Sequence, residues 1–514
     1  MLSDPIRDLI SKVEAAEEAA RAAAGGERLV EVNKVIARAA TFYEKVRYLI
    51  DYREEHTIRR AALERILKRR VFIEQKQHSG AVLLQELVDG QYLQKDVATE
   101  ALANDIDVIT SKYLELRARA HANGQIARKL ISFAATEIDA KLNPVPAVID
   151  HESVQAFYNS MHGHVSGYAL PDEYVNAQLY CACWRSLLGA DNDRLAYALW
   201  LLYMPEWHDG ADIDVMAGKL SAVIARIKSM ADDELQWQIA QKIKNESIYL
   251  RIIREVIIEK GLGARHVLES TRELDAYTKT FLEHKYEREN ERIQSSGIRA
   301  VAYLFLTKMT VALAVEAPYE ALVLGGINYF PLVVNILFHP TLLFALTRRV
   351  GSLDESNTTA ITGGIHGILY EGKVRSIRFR NTYSQLSIAF GFMYLVLLLI
   401  VFGGVIGILE LLGFNPVSIV LFLFFLALVS YFAFRIRYQA RRWKVTEEQR
   451  ALAIIGSVLA IPIIRTGRWL SQTFSSINIF VLIMDFIIET PFKRILNFSN
   501  QFLVYLREKA EEMR

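Results

Sequence analysis

Ionisable and amide side chains interrupt an apolar stretch of the sequence over residues 300–347. Lys308, Glu316 and Glu320 are spaced by multiples of four residues, and steps of four advance only about 40° around a helix. The three residues therefore share one helical stripe. The next apolar run contains two amides and a histidine: Asn328, Asn335 and His339. An ionisable group at membrane depth is costly and normally faces a bundle interior, water or a partner. These six residues predict an intramembrane polar site.

Other clusters of reactive side chains give weaker signals. His162 and His164 lie in a Gly-rich break, but tight zinc sites show a clearer ligand set. Cys181 and Cys183 are two apart in a helical run and point to different sides, which is typical of small core residues. The sequence contains no P-loop, no dinucleotide-binding glycine turn, no H-E-x-x-H and no G-x-S-x-G. We therefore predict no catalytic residue, no cofactor and no metal site.

Length and charge narrow the class of protein. The chain has 514 residues, which exceeds one ordinary domain, and a formal net charge of +2, which does not favour a nucleic-acid partner. Its two cysteines are typical of a reducing compartment. The N-terminus is partly acidic and lacks the apolar run of a secretory signal. We expect the N-terminal half to stay in the cytoplasm.

Residues 1–295 are charged, Ala-rich and amphipathic, and they show no sustained alternation of the β type. The stretch Glu27–Gln77 lacks Gly and Pro and repeats apolar residues at helical spacing, which predicts one long amphipathic helix. Glycine and proline breaks separate shorter helical segments farther along. The sequence thus predicts an all-α fold, in which a multi-helix cytoplasmic domain (1–295) is joined to a polytopic α-helical membrane domain.

The clearest membrane signal is a hairpin over residues 388–434. Ile388–Leu409 and Pro416–Phe434 contain no charged residue, and each matches the roughly 20 apolar residues that cross a bilayer. The Asn415-Pro416 dipeptide between them is a turn signal. This segment predicts a central transmembrane hairpin.

The first membrane region, residues 298–347, allows two interpretations. Its polar stripe is either buried between two spanning helices, or it belongs to interfacial or re-entrant helices that lipid never surrounds. Pro331 and Pro340 interrupt the second segment. Broken helices mark substrate sites in transporters, but paired prolines also simply kink helices. We favour two spanning helices here, and hence four crossings in total.

Basic residues predict the orientation. They flank the hairpin on both sides, whereas its own turn over residues 413–416 has none. Because positive flanks stay inside, we place a basic loop over 348–387 and both termini in the cytoplasm, and the protein in the inner cell membrane. Anionic headgroups are the expected partners of the basic residues beside the membrane, which are Arg348, Arg349, Arg435, Arg437, Arg441, Arg442 and Lys444.

The remaining segment, residues 435–514, begins with a basic juxtamembrane stretch. Ala451–Ile464 is apolar but too short to span comfortably. Ile477–Phe492 is apolar apart from a few polar residues, and Asp485, Glu489, Lys493 and Asn497 fall on one helical stripe. An amphipathic helix at the interface explains this pattern better than a fifth crossing.

Three stretches together resemble a group of large helical membrane proteins from uncultivated, small-genome bacteria. They read YEKVRYLIDYREEHTIRRAALERILKRR (43–70), LTKMTVALAVEAPYEALVLGGINYFPLVVNILFHPTLLF (306–344) and INIFVLIMDFIIETPFK (477–493). No activity is attached to that group, so the resemblance implies no catalytic or binding residue. It implies that the cytoplasmic and membrane halves belong to one protein.

The sequence favours a membrane-anchored scaffold or interaction protein that presents a large cytoplasmic helical domain. Its partner would be another protein or a second copy of the chain, bound through that domain. The alternative is a channel or secondary transporter that uses the polar stripe of residues 308–339. A membrane-bound enzyme is the least favoured function because the catalytic motifs are missing.

Overall fold

The computed structural model describes residues 2–23, 55–69, 80–90, 92–94, 97–167, 170–208, 210, 212–348, 355–378, 387–440, 443–446 and 451–476. Contacts divide the chain into two compact units. Unit 1 comprises Met1–Leu282 and Asp354–Asn381, and unit 2 comprises Glu283–Leu353 and Thr382–Arg514. Helices make up nearly all of the described secondary structure, so the fold is all-α, as the sequence predicts.

The elements follow one another with short connections. In chain order they are α1 (Asp4–Ala23), α2 (Glu55–Leu67), α3 (Gly80–Asp89), α4 (Glu100–Arg119), α5 (Gly124–Leu142), α6 (Pro144–Met161), β1 (Val165–Ser166), α7 (Asp172–Leu188), α8 (Asn192–Tyr203), α9 (Ile213–Asp232), α10 (Leu235–Lys242), α11 (Lys244–Lys260), α12 (Ala264–Glu269), α13 (Thr271–Val311), α14 (Ala317–Val323), α15 (Tyr329–Arg348), α16 (Glu355–Tyr370), β2 (Ile377–Arg378), α17 (Ser387–Leu411), α18 (Pro416–Ala440) and α19 (Ala451–Ser476).

Capping residues fix the ends of several helices in unit 1. The Thr99 hydroxyl accepts the Leu102 N–H at the start of α4, and the Asp191 carboxylate accepts the Arg194 N–H at the start of α8. Both side chains satisfy backbone donors that a helix leaves unpaired at its first turn. Gly189 ends α7 in the left-handed conformation (φ 65°), which glycine adopts without strain.

Aromatic side chains dominate the core of unit 1. Trp200, Trp207, Tyr113 and Phe133 are all fully buried and stack in tilted or edge-to-face pairs. Glu137 lies among them and accepts hydrogen bonds of 2.8 Å from the Tyr113 hydroxyl and from the Trp207 ring N–H. The Glu137 carboxylate thus satisfies two polar atoms that the aromatic packing would otherwise isolate.

The segment 348–387, which the sequence analysis described as a basic loop, is different in the structure. It contains helix α16, which packs on α11, and strand β2, which pairs in parallel with β1 through Val165 and Ile377. Ile361, Ile365 and Ile368 are buried along one face of α16. Their spacing of four and three residues is helical, and the basic residues that follow in the sequence obscured this signal.

Two other expectations are only partly testable. Of the long helix predicted over Glu27–Gln77, the structure describes residues 55–69, which include α2, and the rest lies outside the described residues. The amphipathic helix predicted over 477–492 also lies outside them. The two compact units divide between Leu282 and Glu283, inside the continuous helix α13, and the domain boundary at residue 295 stays a prediction. Apart from Lys308, the charged residues of α13 continue as far as Arg299, beyond the point at which the helix passes from unit 1 to unit 2.

Unit 2 is a bundle in which α18 packs against α15 and α19, and α17 packs against α19. Four helical stretches in the described residues are long and apolar enough to cross a membrane, namely Thr271–Val323, Tyr329–Thr347, Gly391–Leu411 and Pro416–Ile436. Helix α19 extends to Ser476, well beyond the apolar run that ends at Ile464. A Cβ atom on Gly467 of α19 would lie 2.0 Å from the Ala427 carbonyl oxygen, so these helices touch backbone to backbone.

Candidate functional site

The polar stripe predicted around Lys308 is the buried side of its helix. Among residues 301–320 whose exposure is described, the buried positions are Lys308, Ala312, Glu316 and Glu320. A π-helical turn over Ala312–Glu316 separates α13 from α14. Pro318 lies just beyond it and has no N–H to donate to the preceding turn, which accounts for the irregular hydrogen bonding. Turns of this kind frequently occur at functional sites.

One amide side chain joins the ionisable groups at the centre of the site. The Lys308 ammonium donates to Asn335 Oδ1 at 2.6 Å, and Asn335 Nδ2 donates to a carboxylate oxygen of Glu316. Each of the three residues is at most 2% exposed. Asn335 fits both partners at once because its oxygen only accepts and its nitrogen only donates. The ion pair between Lys308 and Glu316 is therefore mediated by Asn335.

His339 follows one helical turn after Asn335 and is fully buried. Its Nε2 lies 3.0 Å from the Phe422 carbonyl oxygen of α18, and its Nδ1 lies 3.3 Å from the Asn335 carbonyl oxygen of its own helix. The Phe422 ring packs edge-on against the imidazole at 4.6 Å. Pro340 removes a backbone donor from this turn, so the ring stands where α15 is least regular.

Glu320 holds together two connections of the bundle. One carboxylate oxygen accepts the Asn328 N–H at 2.8 Å, and the other accepts the Asn415 side-chain amide at 2.7 Å. Asn415 also caps α18 by accepting the Ser418 N–H at 2.9 Å. The turn between α14 and α15 and the turn between α17 and α18 consequently lie at the same end of unit 2, which we call the turn end.

Apolar side chains fill the opposite end of the same helices. Leu343, Val429 and Ala433 form a buried cluster, with partly buried residues around it: Ala300, Val301, Leu304, Leu342 and Leu346. Buried ionisable and amide side chains thus extend from the turn end to about the middle of α15, whereas the buried polar side chain described beyond His339 is the uncharged Thr347, which bonds its own helix. The bundle is asymmetric along its length.

The structure brings together all six residues of the predicted intramembrane site, although Asn328 contributes mainly its backbone N–H and is itself exposed. Sequence reasoning missed Asn415 and Ser418 on the hairpin, because Asn-Pro was interpreted only as a turn and a single serine in an apolar helix is unremarkable in a pattern. Asn415 was detectable as a helix cap, since an asparagine directly precedes the proline that begins α18.

The basic residues fall at the end of the bundle that lies opposite the turns. Arg348 ends α15, and Arg435 and Arg437 lie in the last turns of α18, where Arg435 is exposed. Lys444 is half-buried just after that helix. Arg349, Arg441 and Arg442 lie outside the described residues. The described members of the set are consistent with a single basic rim.

Unit 1 contains a cavity of about 950 Å³ with charged walls. Its arginines are paired with carboxylates: Arg60 with Asp191, Arg59 with Asp139 and Arg194 with Asp150. Nearby, burial raises the pKa of the Cys181 thiol to about 12 and raises that of Cys183 well above its ordinary value. Both thiols are thus held protonated and unreactive.

Among the described residues, no three His, Cys, Asp or Glu side chains are grouped so that they could hold a metal ion. His164 lies instead 3.3 Å from the Ser376 hydroxyl. No family model, curated protein or solved structure matches this chain.

Proposed function

We propose that this chain is a multi-pass integral membrane protein that anchors a helical interaction unit at the cytoplasmic face of the inner membrane. Helix α17 carries the proposal. It has no charged residue from Ile388 to Leu409, and only 6% of its most apolar window is buried. An exposed apolar surface of this size is costly in water but is covered by lipid in a bilayer.

The interaction role is supported by unit 1. It has a core of its own and a surface rich in ion pairs, so it requires no lipid. Trp237 is about half exposed (51%) on α10, with the Arg185 guanidinium 4.7 Å from its ring. Exposed tryptophans beside arginines are enriched where proteins bind other proteins. The partner is a protein or a second copy of the chain.

The membrane orientation can be tested with single introduced cysteines. The two native thiols are buried and therefore give little background labelling. We expect Leu411→Cys at the turn end, where the native residue is 90% exposed, to react with an impermeant maleimide applied outside intact cells. Lys228→Cys on exposed α9 serves as the cytoplasmic control and reacts only after lysis. The reverse pattern would contradict the proposed orientation.

The interaction role can be tested by cross-linking the full-length protein in native membranes and comparing wild type with Trp237→Ala. We expect a discrete adduct, homomeric or heteromeric, that the substitution reduces at least about tenfold, since hot-spot residues contribute 2 kcal/mol or more. Lys228→Ala is the matched surface control and leaves the adduct unchanged. Equal adduct yields from all three proteins would argue against a partner at this surface.

A second candidate function is ion-coupled transport or channel conduction. It is supported by the buried Lys308–Asn335–Glu316 chain, because ionisable groups in apolar helices are expensive and commonly serve ion pathways. The test is flux into proteoliposomes containing the full-length protein. Glu316→Gln should abolish flux, whereas Glu410→Gln, an exposed carboxylate on α17, should preserve it. Wild-type vesicles without flux would eliminate this candidate and leave the anchoring role.

A further inference from the structure

We propose that the buried polar side chains of unit 2 bind one small monovalent cation, an alkali ion or a proton, at the Glu316 carboxylate. This inference deepens the transport candidate and rests on it for its physiological meaning. The binding itself is a separate property, because a site can hold a cation without passing it across a membrane.

The charges of the buried groups do not balance. In the described part of unit 2, the buried side chains that carry a formal charge are Lys308, Glu316 and Glu320, which sum to −1 when all are ionised. His339 is buried beside them and can add positive charge only by taking up a proton. An uncompensated buried charge is costly, so one bound positive charge stabilises the folded bundle.

No described charged group on the neighbouring helices supplies the positive charge that would balance the buried groups. Arg465 of α19 is exposed, with its guanidinium 5.0 Å from the Tyr394 ring, and Glu410 of α17 is exposed and of the wrong sign. The described groups that α18 and its cap bring to the site are uncharged: the Asn415 and Ser418 side chains, backbone carbonyl groups, and the rings of Phe422 and Phe425. The compensating cation therefore comes from solution.

An unpaired oxygen atom marks the position. The Ser418 side chain is 1% exposed, and its hydroxyl makes no hydrogen bond with another described residue. Asn335 Nδ2 donates to Glu316 and also lies 3.5 Å from the Ser418 backbone carbonyl oxygen, so Ser418 and Glu316 are neighbours. Glu316 itself uses a bond from Asn335, whereas a carboxylate offers about four acceptor positions. Carboxylate, amide and hydroxyl oxygens are the ligands that hard cations prefer. The spare oxygen positions of Glu316 and Ser418 thus lie beside the same amide.

The bundle admits the cation from one end. Asn415, Asn328 and Glu320 form a polar entrance at the turn end, and Glu316 follows one turn deeper than Glu320. Past His339, the cluster of Leu343, Val429 and Ala433 closes the bundle with apolar side chains. A cation that enters from the turn end would therefore stop near the middle of the helices, beside Glu316.

Thermal unfolding of the full-length protein in lipid nanodiscs tests the proposal. A ligand that binds only the folded state stabilises it by RT ln(1 + [L]/Kd), so above Kd the melting temperature rises with the logarithm of the ligand concentration. We expect the Tm to rise in this way when NaCl replaces N-methyl-D-glucamine chloride at constant ionic strength and pH. If the ligand is a proton, the Tm instead rises as pH is lowered and is indifferent to Na⁺. A Tm that responds to neither cation overturns the proposal.

Variants locate the response. Glu316→Gln removes the charge and should abolish the dependence, and Ser418→Ala should weaken apparent affinity about tenfold while leaving the cation-free Tm unchanged, because the hydroxyl has no partner to lose. Glu410→Gln is the matched control and keeps the full response. If Glu316→Gln does not fold, Ser418→Ala alone decides. A wild-type response that survives in Ser418→Ala at full affinity excludes the site beside Glu316.

The outcome is distinguishable from that of the transport test. A cation-dependent Tm without flux leaves the cation site in place and eliminates transport. Flux that Glu316→Gln abolishes, without any cation-dependent Tm, retains transport and removes the binding site proposed here.

Discussion

Charged side chains are held in opposite ways in the two units. In unit 1 they form ion pairs around a solvent-accessible cavity, and Asp150 forms salt bridges with both Arg194 and Arg254. In unit 2 the buried charges are few, and Lys308 and Glu316 depend on the same amide. Water and spare partners can replace a lost contact in the first case but not in the second. The comparison teaches that the number of ion pairs is a poor guide to their importance.

The largest expected effect comes from the shared amide. Asn335→Leu leaves the Lys308 ammonium and the Glu316 carboxylate buried without their bridge, and we expect a loss of about 3–5 kcal/mol of unfolding free energy. The measurement is denaturant unfolding in detergent micelles. Asn104→Leu, the same substitution at an exposed position of α4 outside this network, is the control and should cost less than about 0.5 kcal/mol. Equal losses would show that burial of the network does not matter.

The buried Glu137 carboxylate of unit 1 tests whether the contrast between the two units holds. Glu137→Met leaves the Tyr113 hydroxyl and the Trp207 ring N–H without an acceptor, and two buried unpaired donors cost about 2–4 kcal/mol together. Burial raises the pKa of Tyr113 well above its ordinary value, so its hydroxyl keeps its proton and its need for an acceptor.

Tryptophan fluorescence is a suitable probe of this change, because four of the six tryptophans, Trp184, Trp200, Trp207 and Trp237, belong to unit 1. Glu115→Met on the exposed face of α4 provides the control. If Glu137→Met lost as much unfolding free energy as Asn335→Leu, the cost would depend on having a single hydrogen-bond partner. It would not depend on whether the group lies in unit 1 or in unit 2.

A smaller effect is expected at the cavity of unit 1 when pH is lowered. Burial raises the pKa of Asp191, but hydrogen bonds from Arg60 and from the Arg194 N–H outweigh it, so the pKa lies below its ordinary value. A depressed carboxyl pKa contributes stability above the unfolded pKa of about 3.9, and this contribution disappears as pH falls through the folded pKa. Solvent screening limits it to about 1 kcal/mol or less.

Asp191→Asn should therefore flatten the loss of stability below about pH 4, measured by tryptophan fluorescence in acid. The exposed Asp172→Asn on α7 should leave the acid profile as it is in the wild type. Identical profiles for all three proteins would place the acid sensitivity of unit 1 elsewhere.

The polar stripe and the four apolar stretches were predictable because both are periodic. Lys308, Glu316 and Glu320 repeat at helical spacing, and a run of some 20 apolar residues has few soluble explanations. Their partners were not predictable in the same way. Ser418 lies near Glu316 because Asn335 of α15 contacts both, and a neighbour about 100 residues away leaves no local pattern.

The prediction of a basic loop around α16 missed the helix for a different reason. Positive charge in residues 373–380 suggested a loop at the membrane surface, whereas the helix is specified by Ile361 and Ile365 and by close packing of Gly364 against Tyr249. A Cβ atom on Gly364 would lie 2.2 Å from the Tyr249 ring, so only glycine fits there. Charge predicts topology, but it does not predict which apolar residues find a partner far away in the sequence.

The smallest change in unfolding free energy is expected for Ser418→Ala, which tests whether every buried polar group of unit 2 contributes to stability. Ser418→Ala removes a buried hydroxyl that has no hydrogen-bond partner, so the unfolding free energy should change by no more than about 0.5 kcal/mol in cation-free buffer. Thr347→Ala is the matched control on α15, because that buried hydroxyl donates to the Leu343 carbonyl at 2.8 Å and its loss should cost about 1 kcal/mol.

Denaturant unfolding in micelles measures both variants. A loss at Ser418 as large as that at Thr347 would mean that the Ser418 hydroxyl already has a partner in the folded protein. An unchanged stability would mean that this oxygen contributes nothing to the fold itself. In a unit where the other buried polar side chains hold their neighbours in place, an oxygen with no structural role is free to bind a cation.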